Sequence, residues 1–386
     1  RIFDLRKTIN KLFLIITVIS ALLLTTGCDL FIKTNKGQVD QKWYMGLTYE
    51  DDNGNDTDYT IGTDGTIAAV ALEDGYGDEF GIIKGEEAYL NINTIIKNID
   101  KRFYVDATNN LVMFTDATKT YKTKIGGKTI NETENTDYVI SFMDGKNCYV
   151  NVKFVKKYVD FDYKVVKAEG KSPARIVLKY TSGEKNQMTV KSNIEMRTKA
   201  DYQNLIVTTL KKNTKVTVLE ESGDWTKVGT DDGFMGYVPA KKLKDKETKK
   251  TEFKSDADTY THVLMNKKIS LGWNAITNLT ANGNLETIIE HTKGLNVISP
   301  TWYSLSDNKG NLRSYASATY VEKAHSKGLK VWALVNDFGT QDKASKEYTK
   351  KVLTDTTKRE NLVDNIMTNI KDYNLDGINI DFEFIN

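Results

Sequence analysis

The residues best suited to chemistry lie together in one stretch, residues 375–386, reading LDGINIDFEFIN. If the run is an extended strand, successive side chains point to opposite faces. Gly377, Asn379, Asp381 and Glu383 then share one face, and Ile378, Ile380, Phe382 and Phe384 the other. The apolar face needs a layer of helices over it, and the acidic face needs either water or a reaction. A parallel barrel strand ending at a catalytic mouth meets both demands, and the plain alternative is an acidic strand end that is merely solvated. Asn379 limits the chemistry, because an amide cannot share a proton with Asp381 as a second carboxylate would, so no coupled titration of the two is expected.

Elements able to position this strand precede it. Apolar runs at 269–276 (ISLGWNAI), 295–302 (LNVISPTW) and 329–335 (LKVWALV) read as strands. Helical spacing recurs at 285–292, 315–327 and 361–372. Strands alternating with helices mean βα units and a parallel sheet. In parallel barrels the active residues sit at the carboxyl ends of strands, which is where Trp273, Trp302, Asn336 and Glu383 fall.

The 375–386 run resembles the DxxDxDxE signature of glycoside hydrolase family 18, the chitinase-like enzymes. Asp376, Asp381 and Glu383 match it, and Asn379 departs from it. The stretches GLNVISPTWYSL, YVEKAHSKGLKVWALV and LDGINIDFE, in this order, resemble the spore-germination and cortex-lytic branch of that family over its first four barrel strands. The resemblance implies an α/β fold, a (β/α)8 TIM barrel of which about four βα units occupy 261–386. It also implies that Glu383 is the general acid that protonates the glycosidic oxygen, while Asp381 orients the sugar's N-acetyl group. That group's carbonyl oxygen attacks the anomeric carbon in place of an enzyme nucleophile, a substrate-assisted retaining route. Asp376, Gly377 and Asn379 would support the motif. Trp273, Trp302 and Asn336 would bind substrate, although buried tryptophans between sheet and helices are the plainer reading of the aromatic pair. The implied partner is a β-linked N-acetylglucosamine polymer, peptidoglycan or chitin, with no cofactor. Because the chain stops three residues after Glu383, a half-barrel is expected, inactive alone and poorly stable. A catalytically silent glycan-binding or stalk protein is the alternative, and the presence of Glu383 favours the enzyme.

The chain before residue 261 divides into four expected segments. Residues 1–28 combine a basic start (Arg1, Arg6, Lys7, Lys11) with an uncharged apolar run over 12–24, a secretory signal or membrane anchor. The run ends at Thr25, Thr26, Gly27 and Cys28, which resembles a lipobox with Cys28 as the lipidated residue. Either reading places the protein at the outer face of the cytoplasmic membrane or in the wall.

Residues 42–181 contain a repeat, 88–103 over 148–163 at an offset of 60, with Tyr89/Tyr149, Asn91/Asn151, Lys97/Lys157 and Asp100/Asp160 identical. Each copy predicts a strand, a helix and a closing β-rich run. This paired α+β module resembles the stalk-like N-terminal domain of copper amine oxidases, without the His or Cys cluster that copper would need. Residues 188–245 carry short strands between turns (GDW, DDG, GYV) and resemble a bacterial SH3-like all-β barrel. Trp225 and Tyr237 could form an aromatic groove or fill the core. Residues 246–260, charged and aperiodic, read as a linker.

Composition removes other classes. With 54 basic and 52 acidic side chains, the net charge of +2 gives no footprint for nucleic acid. Cys28 and Cys148 cannot make a disulfide framework, and His262, His291 and His325 are too scattered for a zinc site. No Gly-rich phosphate loop or Ser-His-Asp arrangement is visible, and a monomer without metal is expected.

Overall fold

Each copy of the repeat folds for the same local reasons. Gly85 in one and Gly145 in the other, at φ of 60° and 56°, turn a hairpin that joins Gly81–Lys84 to Glu87–Asn91 and Ser141–Asp144 to Asn147–Asn151. Each second strand ends in an asparagine that caps the following helix. Asn91 Oδ1 accepts the Asn93 N–H and Asn151 Oδ1 the Lys153 N–H, both at 2.9 Å, and the helices Ile92–Asn98 and Val152–Tyr158 begin there. The capped strands pair antiparallel, with Val150 opposite Leu90, so the two copies meet inside one seven-stranded sheet. The identical Gly85 and Gly145 extend the repeat upstream of residue 88.

The computed structural model of the chain describes residues 34–254, 264–338 and 343–384. The signal or anchor expected at 1–28, with Cys28, lies outside them. No helix among the described residues is long and apolar enough to cross a membrane. Two compact units emerge, one formed by 1–103 with 126–257 and the other by 104–125 with 258–386.

In the first unit the repeat and the SH3-like region share a core. Ile82, Tyr89 and Tyr149 from the repeat lie in one buried cluster with Met196, Val216, Phe234 and Val238. No break in packing falls at the expected 181–188 boundary, because each sheet has an apolar face that needs another layer. The charged run expected as a linker is ordered through Thr251. Leu243–Thr251 pairs antiparallel with Gly183–Val190 at the edge of a second seven-stranded sheet. Its side chains from Lys244 to Lys250 are exposed, so the backbone ladder holds it and no apolar alternation marks it. The remainder of that segment, 255–260, lies outside the described residues.

The second unit holds four parallel strands in chain order: Leu271–Asn274, Val297–Pro300, Lys330–Asn336 and Gly377–Asp381. Past Pro300 the chain bends and re-forms as Tyr303–Leu305, which pairs with the upper part of Lys330–Asn336 and with Leu312–Ser314. Helices Leu285–His291, Ala318–Ser326 and Thr356–Asp372 fall close to the expected places. Helix Lys343–Leu353 has no counterpart in the sequence reading. The helix-facing side buries Ile298, Val331, Ala333 and Val335 with Trp302 and Tyr320, and Ile378 and Phe382 pack against them.

Two contacts fix the helix that delivers the last strand. Gly310, at φ +92°, lies so close to Thr356–Asp372 that a Cβ would stand 2.5 Å from the Lys358 carbonyl oxygen. Asn365 Nδ2 donates to the Gly310 carbonyl at 3.0 Å. At the helix's start, a three-stranded meander, Phe103–Asp106, Leu111–Thr115 and Thr120–Lys124, supplies a second cap. Buried Asp106 accepts the Thr356 N–H at 2.6 Å, beside the helix's own cap Asp355. Burial opposes the Asp106 charge, yet the hydrogen bonds from Thr356 and Asn109 prevail and lower its pKa to about 2. Asn109 ties the two caps together, donating to Asp106 at 2.9 Å and to Asp355 at 3.0 Å. From the sequence this meander reads only as the β-rich close of the first repeat copy.

Candidate functional site

The parallel register brings the carboxyl ends of four strands together. Trp273 stands beside Ser299 and Asn274 beside Pro300 on the first pair, and Asn336 stands beside Asp381 on the last. Asn379, in register with Leu334, reaches past the intervening strand to Ser299, Nδ2 to Oγ at 3.5 Å. Adjacent strands lie about 4.8 Å apart, so two side chains separated by a whole strand meet only where the sheet is concave. This concave face carries Ser299, Asn336, Asn379 and Asp381.

Its polar groups are left open. Neither the Asp381 nor the Glu383 carboxylate has a hydrogen-bond or ion-pair partner among the described residues, and Glu383 is exposed. Asn336 is 4% exposed and its Oδ1 has no partner among the described residues. A buried polar atom without a partner costs about 1–3 kcal/mol, a cost that a ligand's hydrogen bond would relieve. Trp273 is 69% exposed at the same end of the sheet, its ring available as an apolar surface.

Other expected site residues stand elsewhere. Asp376 lies at the amino end of the last strand, away from Asp381. Its carboxylate accepts from Lys330 Nζ at 2.6 Å and the Val331 N–H at 2.9 Å, and it lies 2.7 Å from His325 Nε2. Burial works against its charge, but Lys330, the Val331 N–H and His325 outweigh it and hold its carboxyl below the usual range. Gly377 serves packing, since a Cβ there would come within 2.9 Å of the Trp332 ring. Trp302, expected to bind substrate, is completely buried on the helix side. Its Nε1 donates to Asn282 at 2.8 Å and its ring meets Tyr320 edge-on at 5.1 Å, so no ring face is open to a ligand. The phenol of Tyr320 accepts from buried Asn274 at 2.8 Å, and burial pushes its pKa up to about 12.

The strand ladder runs through Asp381 and ends there, but Ile380, expected under helices on the apolar face, is 54% exposed. Beyond it the chain leaves the ladder, and a carboxylate not singled out from the sequence, Asp337, accepts both the Glu383 N–H at 2.9 Å and the Phe384 N–H at 3.0 Å. Its signal was a charge one residue past a strand whose other members are almost all apolar. Among the described residues no group of three or more His, Cys, Asp or Glu side chains is placed to hold a metal ion.

Comparison with known proteins adds a local assignment. The bacterial SH3 domain family model matches residues 192–244. No curated protein matches the chain. Among solved structures, the chain is similar in part to the C-terminal domain of a chitinase candidate from Desulfitobacterium hafniense, with 26% identity over 31% of this chain and 34% of that one and a TM-score of 0.26. It is similar also to a chitinase from Bacteroides thetaiotaomicron, with 20% identity over 30% and 36% and a TM-score of 0.25. A chitinase from Chromobacterium violaceum aligns at 14% identity over 30% and 36%, with a TM-score of 0.24. The chain spans about a third of the length of each of these structures.

Proposed function

We propose that the protein is a cell-envelope glycoside hydrolase of the family 18 type that cleaves β-linked N-acetylglucosamine polymers, with peptidoglycan preferred to chitin. The observation that carries the reading is the placement of Asp381 and Glu383, both without side-chain partners among the described residues, at the carboxyl end of the fourth of four parallel strands in chain order. Strictly sequential order is that of a sheet wound in one direction, as in a (β/α)8 barrel. Residues 261–386 supply the first four units of such a barrel. Glu383 gives its proton to the glycosidic oxygen as the bond to the anomeric carbon breaks. Asp381 holds the 2-acetamido group so that its carbonyl oxygen closes on that carbon from the opposite side. Water then opens the resulting ring from the first side, giving its proton back to Glu383, so that two inversions retain the configuration. Asn336 and Trp273 line the sugar site, the first by its open acceptor and the second by its ring. The SH3-like domain and the paired repeat, a stalk-like spacer, attach the enzyme to the wall, and 1–28 with Cys28 holds it at the membrane's outer face.

Glu383→Gln tests the assignment, because the amide keeps the shape and cannot give the proton. General acid catalysis contributes about 10²- to 10⁴-fold, so in a protein carrying the complete barrel turnover of a GlcNAc oligomer or of peptidoglycan should fall by that factor while oligomer binding and thermal stability stay unchanged. A variant that keeps more than roughly a tenth of the parent activity would contradict a role of that size.

A further inference from the structure

The ladder that orients the last strand stops at Asp381, two residues before Glu383. In a regular strand consecutive N–H groups point to opposite sides, so a single carboxylate can accept from both Glu383 and Phe384 only where the chain has left strand geometry. What fixes the backbone at Glu383 is therefore Asp337. Its side chain is 1% exposed, and it accepts the Thr349 hydroxyl at 2.8 Å in addition to the two N–H groups. Thr349 is fully buried on helix Lys343–Leu353. No cation pairs with Asp337 among the described residues. A buried carboxylate without a cation is costly unless hydrogen-bond donors saturate it. Here the donors are one buried hydroxyl and the backbone at the proposed acid.

We infer that Asp337 and Thr349 form a positioning pair that holds Glu383 in register with its substrate, an inference that rests on the assignment of Glu383 as the acid. Thr349 locks the carboxylate's rotamer, and the carboxylate sets where the Glu383 backbone stops. Misplacing a reacting group by about 1 Å can cost on the order of 100-fold in rate, so the pair acts on turnover more than on binding. A mere strand-end cap would touch stability alone.

The test compares Asp337→Asn, Thr349→Val and Thr349→Ser in a protein that carries these residues within the complete barrel. Amide hydrogen exchange is followed over 377–384, and hydrolysis is measured on a GlcNAc oligomer and on peptidoglycan. Asp337→Asn and Thr349→Val should speed exchange at Glu383 and Phe384 with 377–381 unchanged. They should also lower kcat by roughly 10- to 100-fold with KM unaltered, and Thr349→Ser, which keeps the hydroxyl, should retain parent values in both measurements. If Asp337→Asn does not fold, the two Thr349 variants carry the test. Exchange that does not respond, in a chain that is active, overturns the pair. So does a raised KM with kcat intact. A parent with the complete barrel that hydrolyses neither substrate while exchange responds overturns the acid assignment instead, and the positioning role falls with it.

Discussion

At its amino end the Gly377–Asp381 strand is tied down by groups that satisfy one another, and at its carboxyl end it presents groups that do not. Asp376 has Lys330, His325 and the Val331 N–H around one carboxylate. Five residues on, Asp381 has no partner among the described residues, and buried Asn336 beside it leaves its Oδ1 open. Both aspartates belong to the same short acidic run, so residue type and spacing do not tell structural from reactive. What differs between them is the surroundings: the Asp376 oxygens are taken up by neighbouring donors, and those of Asp381 are left open among the described residues. The two tryptophans divide the same way. Trp302 is sealed into the helix-side core with its N–H bonded, and Trp273 stands in solvent at the open end.

The largest effect expected from this division is on the closed side. Trp302→Ala removes a fully buried ring and leaves Asn282 Oδ1 without its donor. It should destabilise the second unit by about 3–5 kcal/mol, read by chemical denaturation. A loss under about 1 kcal/mol, small beside that range, would mean that Trp302 is not core, and the sugar-binding role expected of it would return.

Asp376→Ala is the next step down. Lys330 is 55% exposed and its ion pair contributes little. The Val331 N–H and the His325 contact are the better-shielded partners, so about 1–3 kcal/mol is expected. Because folding lowers this carboxyl below its ordinary value of 3.8, its contribution is complete above that pH and fades as pH falls through the lower folded value. The parent should therefore lose stability on acidification below about pH 4 more steeply than Asp376→Ala does, and turnover per folded molecule should be equal in the two. A large fall in kcat would place Asp376 with the reactive end and erase the contrast.

How much of this was legible follows from which signals are local. The four parallel strands and the helices Leu285–His291, Ala318–Ser326 and Thr356–Asp372 carry apolar periodicity, and the repeat carries its own identities at Tyr89/Tyr149 and Asn91/Asn151, so both could be read without coordinates, whereas helix Lys343–Leu353 was not. The ribbon Leu243–Thr251 could not, since its exposed Lys and Glu side chains show no buried face and only the ladder to Gly183–Val190 holds it. Asp106 capping a helix 250 residues away leaves no trace in spacing. In the candidate site, Asp381 and Glu383 stood out by type, whereas the burial of Trp302, the position of Asp376 and the bonds from the Glu383 and Phe384 N–H groups to Asp337 all depend on what is packed alongside.

The smallest structural effect belongs to Trp273→Ala, and for that reason it is the sharpest probe of the open end. With 69% of the residue exposed, truncation removes little buried surface, and stability should change by no more than about 0.5 kcal/mol. Its position beside Ser299 on the concave face puts the ring where a sugar held against Asp381 would extend. A contact of that kind is worth about 1–2 kcal/mol when it is a significant part of an interface, or roughly a 5- to 30-fold loss of affinity. Calorimetry with a GlcNAc oligomer in a Glu383→Gln background separates binding from turnover. Unchanged affinity would show that the exposed ring meets no ligand and that Asn336 and Asp381 bound the site alone. A stability loss comparable to that of Trp302→Ala would show that Trp273 is packed after all, and the difference between the two ends of the sheet would then rest on the aspartates only.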